Sequence, residues 1–176
     1  MKTGILLFAL FFLAAVCAPQ RVSAAEVTDT TFMNRLAQVY GEKAVRDCLS
    51  GKIAKNDPLA CEKQMARIAV LACTNGKDAA DFTKIKPTDT ACGESLRDYT
   101  RDVARFCKEN PATQRGETKY TVTHVADADV LLVDRTDAAT GNHVIIVFSN
   151  GNTTVPVHGF GGVDTDAWRP EFIKLK

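Results

Sequence analysis

Five cysteines constrain this chain more than any other feature. Cys48, Cys61, Cys73, Cys92 and Cys107 fall within 60 residues, and each lies near an end of one of three segments with helical spacing. Disulfides need Cα atoms within about 7 Å, so the helix arrangement and the cysteine pairing must be solved together. The sixth cysteine, Cys17, lies in a different kind of sequence.

Residues 1–24 read as a secretory signal peptide. Lys2 precedes an apolar run from Ile5 to Val16, and Val22-Ser23-Ala24-Ala25 supplies the small residues of a cleavage site. The run is short of the ~20 apolar residues of a membrane span, so no span is expected after cleavage. Val16 in front of Cys17 argues against lipoprotein processing. An exported chain meets an oxidising compartment, periplasmic or extracellular, where two disulfides and one odd thiol are the simplest use of five cysteines. An odd cysteine also offers a disulfide link to a second chain.

Within 25–110, the cysteine-containing region, steps of three and four residues predict three helices. The first spans about Thr31 to Leu49, with Phe32, Leu36, Val39, Tyr40, Ala44 and Cys48 on one stripe. Gly41 weakens its middle, and Ser50-Gly51 ends it. The second starts at Asp57-Pro58 and ends at Asn75-Gly76. The third carries Cys92, Leu96, Tyr99, Val103, Phe106 and Cys107 and stops before Pro111. Ala79, Ala80 and Phe82 offer one turn in the loop between the last two. An up-down-up bundle then places Cys73 and Cys92 at one end and Cys48, Cys61 and Cys107 at the other. That predicts bridges Cys73–Cys92 and Cys61–Cys107 with Cys48 unpaired; Cys48–Cys61 is the alternative at the second end. No C-x-x-C pair points to zinc.

From 111 to 176 the period changes to two. Thr118–Ala126, Val130–Val133, Val144–Phe148 and Thr153–Phe160 read as strands, with a fifth at Glu171–Lys176. The expected fold is α+β: three disulfide-tied helices, then a four- to five-stranded antiparallel sheet that packs on them as one unit. A hairpin turn at Asn150-Gly151 would set His143 opposite His158, about 5 Å apart at Cβ, where two imidazoles could share a metal or repel when protonated. Asp164 and Asp166 are the nearby candidates for a third ligand. Trp168, the sole tryptophan, either pins the C-terminal segment or, if exposed, leads a partner contact.

Function is constrained mainly by exclusion. Taking Lys2 and Arg21 from the 22 basic residues leaves 20 against 21 acidic ones, so there is no basic field for nucleic acid. His158-Gly159-Phe160-Gly161-Gly162 has the glycine density of an esterase oxyanion loop, but no G-x-S-x-G nucleophile accompanies it. No cofactor motif is present. The expectation is a non-enzymatic binding module acting on another envelope or extracellular protein, inhibitor- or immunity-like. The alternatives are a structural component of a cell-envelope assembly or secretion apparatus, and a metal-binding protein or hydrolase using His143 and His158.

Overall fold

A computed structural model describes residues 30–74 and 92–176. The proposed signal peptide, Asn75-Gly76 and the Ala79–Phe82 turn lie outside these residues. Five helices come first: α1 (Thr30–Tyr40), α2 (Glu42–Leu49), α3 (Ala60–Thr74), α4 (Gly93–Glu109) and the single turn α5 (Ala112–Arg115). Six strands follow: β1 (Glu117–Val125), β2 (Ala128–Asp137), β3 (Asn142–Ser149), β4 (Thr153–Val157), β5 (Gly161–Thr165) and β6 (Glu171–Leu175). The fold is α+β, in three layers.

The first predicted helix is two helices. Gly41 takes φ +83°, a conformation open to a residue without Cβ, and splits α1 from α2. Its N–H still donates to Ala37 O at 2.8 Å. Phe32, Leu36 and Val39 are the buried stripe of α1, and Val45 and Cys48 that of α2. Gly51, with φ +75°, ends α2 as the sequence predicts: the N–H groups of Ser50, Gly51 and Lys52 return to carbonyls of its last turn. Asp57 caps the approach to α3, its carboxylate accepting from Leu59 N at 2.9 Å, but the helix starts at Ala60 rather than Pro58.

The one disulfide among the described residues is Cys61–Cys92, with Cα atoms 5.4 Å apart, and Cys48, Cys73 and Cys107 carry free thiols. This replaces both expected bridges, Cys73–Cys92 and Cys61–Cys107. Cys61 and Cys92 each stand at the N-terminal end of a helix, so α3 and α4 start side by side. They run in the same direction, with Met65 to Ala72 packed along Leu96 to Cys107, and Arg135 of the sheet bonds to Cys73 O at the far end of α3 and to Thr113 O in α5, just after α4. Up-down-up order fails because the sequence between them is long. Seventeen residues (75–91) can span far more than the ~22 Å length of α3, so loop length permits a crossover as readily as a hairpin. Met65, Ile68 and Ala72 of α3 pack with Leu96, Val103 and Cys107 of α4.

The main sheet has strand order β1-β2-β3-β6, all antiparallel. Leu131, Val133, Ile146 and Phe148 face α1 and join Phe32, Leu36, Val39, Val45, Ala69 and Val70 in one core. Phe32 lies at its centre, its ring 5.6 Å from Tyr120 and 5.7 Å from Phe148. The opposite face carries Val130, Ile145, Val147 and Ile173, covered by Val155, Val157 and Val163 of a separate β4–β5 hairpin. β3 is thus buried on both faces, which explains its unbroken apolar run.

The expected β3–β4 hairpin is absent. Asn150-Gly151 is a corner that takes the chain out of the sheet. The Asn150 side chain donates to Val39 O at 2.9 Å and accepts from Asp129 N at 2.8 Å, while Ser149 O receives the N–H of Trp168. Such tertiary partners outweigh local turn propensity. β6 takes the vacant edge of β3 instead, with Ile145 opposite Ile173. Gly161 and Gly162 belong to β5, a strand absent from the five that the sequence pattern predicts.

Candidate binding cleft

The break at Gly41 opens a cleft of about 550 Å³ between the start of α2 and the 52–57 loop, lined by Tyr40, Lys43, Asp47, Cys48, Lys52, Ile53, Ala54, Asp57 and Lys63 among others. Tyr40, the last residue of α1, stacks on Trp168 with ring centroids 3.8 Å apart and planes 23° apart. Lys63 Nζ lies 5.2 Å from the Trp168 ring centre and 2.5 Å from Asp57 Oδ2. The Lys63 ammonium is therefore shared between an aromatic face and a carboxylate. The Lys63 hydrogen bond and the Leu59 N–H together hold the Asp57 carboxyl below its usual range. One wall is thereby fixed; at the rim the exposed Lys43 donates to Asp47, and Lys52 is exposed.

Trp168 is 8 % exposed and packs with Cys48 and Ala66. It pins the C-terminal segment and is not an exposed contact residue. Its φ of +67° is rare for a bulky side chain; the stack on Tyr40 and the hydrogen bond from its N–H to Ser149 O at 2.9 Å hold it there.

Cys48 forms part of the cleft wall. It is 4 % exposed, its Sγ donates to Lys63 O at 3.0 Å, and burial pushes the thiol up to about 11. Burial also raises Cys107 and takes Cys73 to about 12. These thiols are protonated at neutral pH and are poor nucleophiles.

The histidines do not form the expected pair. His143 lies in β3, on the hairpin side of the sheet, and contacts Asp134 Oδ1 through Nε2 at 2.8 Å. His158 is in the turn between β4 and β5, strands that have no ladder with β3. The register that would oppose the two is therefore lost. Asp164 accepts from Thr154 Oγ1 at 2.6 Å, and Asp166 lies 3.6 Å from Arg169. Among the described residues, no three His, Cys, Asp or Glu side chains gather as a metal site. The third histidine, His124, contacts Asp129 at 2.9 Å near the β1–β2 turn.

Sequence reasoning missed the cleft because its parts are far apart in the chain. Asp57 is legible as a cap, but nothing in spacing joins it to Lys63, Tyr40 and Trp168. No family model, no curated protein and no solved structure matches this chain.

Proposed function

We propose that this protein is a non-enzymatic binding module that acts on another protein of the cell envelope or the extracellular space, in the manner of an inhibitor or immunity factor. The observation that carries the reading is the cleft at the α1–α2 corner. Its apolar surfaces (Tyr40, Ile53, Ala54) are ringed by side chains of both signs (Lys43, Asp47, Lys52), the pattern of a protein contact with a polar rim. A rigid frame favours such a role, because less freedom is lost on binding. Here the Tyr40–Trp168 stack and the Asp57–Lys63 pair hold the wall. The disulfide Cys61–Cys92 fits a compartment where thiols are oxidised. Among the described residues no helix is long and apolar enough to cross a membrane.

Nucleophilic catalysis by the thiols at neutral pH is disfavoured by their raised pKa values. The helices that hold them lie on one face of the sheet and His143 on the other.

The test is affinity capture from the native envelope fraction without reductant, with the tagged wild-type chain beside Lys52→Glu and Ile53→Asp. One discrete protein should bind the wild type at one to one, with at least a tenfold loss of affinity in each variant at unchanged circular dichroism. A partner retained equally by both variants removes the cleft from the binding surface. Absence of any protein partner removes the function.

A further inference from the structure

We propose that Cys73 and Cys107 form a second intramolecular disulfide, closing the C-terminal ends of α3 and α4 as Cys61–Cys92 closes their N-terminal ends.

The argument is geometric. The two helices are pinned at their starts with Cα atoms 5.4 Å apart. From Cys61 to Cys73 the axial rise is about 18 Å, and from Cys92 to Cys107 about 22 Å, at 1.5 Å per residue. In a parallel pair the two cysteines therefore end within about one helical turn of each other. Cys107 shares a buried cluster with Ala72, the neighbour of Cys73, and Cys73 itself packs where that cluster borders the sheet core. A single group on the sheet, Arg135, also gathers both ends. Its Nη1 donates to Cys73 O at 3.1 Å and to Thr113 O, and Thr113 Oγ1 donates in turn to Cys107 O at 3.3 Å. Each of these two thiols lies close enough to Arg135 to feel its charge, and Cys73 also feels Cys107.

The chemistry needs a disulfide oxidant, either a small-molecule disulfide or the disulfide of an oxidoreductase. The Cys73 thiolate attacks one sulfur of that disulfide, forming a mixed disulfide and expelling one thiolate. The Cys107 thiolate then attacks Cys73 Sγ and expels the second. Two protons pass from the cysteines to the departing thiolates, and the two electrons lost by the cysteines reduce the oxidant to two thiols. Cys73 keeps part of its surface exposed and is the entry point, whereas Cys107 is buried. Cys48 is then the odd thiol. At 4 % exposure it is sealed inside the chain rather than offered to a second one.

Tryptic peptide mapping tests this, because trypsin places all five of these cysteines in separate peptides: 47–52 (Cys48), 56–63 (Cys61), 68–77 (Cys73), 85–97 (Cys92) and 106–108 (Cys107). The full chain, exported and purified without reductant, is quenched in acid, alkylated under denaturing conditions and digested. Peptides 68–77 and 106–108 should appear as one linked species, with 47–52 alkylated. In Cys107→Ala, Cys73 should change from linked to alkylated, and the reverse in Cys73→Ala. Incubation of reduced protein with oxidised glutathione should close the bridge about tenfold faster per pH unit between pH 7 and pH 9. Both peptides alkylated in the wild type after that incubation, or either one linked elsewhere, overturns the proposal. Mapping reads the covalent state directly, so its outcome is independent of any partner binding.

Discussion

Phe32→Ala is the sharpest test of how the helical and β regions depend on each other. Phe32 is 1 % exposed, on the first turn of α1, with one aromatic neighbour on β1 and one on β3. Truncating a fully buried Phe costs about 3–5 kcal/mol, which combines lost transfer energy with the cavity left behind. Each aromatic pair contributes about 0.5–1.5 kcal/mol of that beyond area. Phe32→Leu refills most of the volume and loses mainly the ring pairing, so about 1–2 kcal/mol is expected for it. With a urea slope of about 2 kcal/mol/M, the Ala variant should unfold about 2 M earlier than wild type and the Leu variant about 0.5–1 M earlier. Two probes follow the same titration: far-UV circular dichroism for the whole fold, and fluorescence of Trp168, which lies in the separate cluster with Cys48 and Ala66. If α1 joins helices and sheet into one cooperative core, both probes shift together. An Ala variant within about 1 kcal/mol of wild type, or two midpoints that separate, would refute the reasoning.

Gly116→Ala should destabilise although Gly116 has an ordinary φ of −70°. A Cβ there would come within 2.6 Å of Ala112 O and 3.1 Å of Thr136 C, both backbone atoms that cannot rotate away. The overpacking cost of about 1–3 kcal/mol exceeds the gain of about 0.4–1 kcal/mol from a stiffer unfolded chain, and a stabilised variant in urea titration would contradict this. Asp57→Asn should flatten the acid side of the stability curve. The folded Asp57 carboxyl sits below its unfolded value of 3.8, held first by the Lys63 hydrogen bond and then by the Leu59 N–H. Its contribution is therefore present above pH 3.8 and lost as pH falls through the lower folded value. The drop in Tm from pH 6 to pH 3 should be smaller in the variant; equal drops would remove Asp57 as the source. Asp57→Ala should cost about 1 kcal/mol at neutral pH through loss of the cap.

The periodicities identify the elements well. The α1 and α4 stripes and the runs of β1, β2, β3 and β6 are readable because burial on one face leaves a 3.6- or 2-residue pattern and burial on both faces of β3 leaves an unbroken apolar run. Pairing is less legible. Asn150-Gly151 has the composition of a hairpin turn, but its strand partner is decided by Val39, Asp129 and Trp168, residues up to 111 positions away. The cysteine error had the same origin. The cysteines do lie near helix ends, yet helix direction depends on a crossover whose length suits either sense. β5 is not legible in the pattern because it presents only Val163 and Thr165 to the interior. The cleft was invisible for a related reason, since Tyr40, Lys63 and Trp168 meet only after the sheet has brought the C-terminal segment back to α1.

The place of β6 also has a consequence for the order of events during synthesis. β3 carries the most apolar run of the sheet, and β2, made just before it, covers one of its edges immediately. The other edge waits for Glu171–Leu175, made only after the β4–β5 hairpin is complete. During that interval a nascent chain displays an open ladder along His143–Val147, the kind of edge that pairs with other chains. The hairpin can meanwhile shield one flat side of β3 but not its rim. The late-made strand thus moves the open edge from the apolar β3 to the short β6, where Glu171 and Lys174 bring charge to the rim.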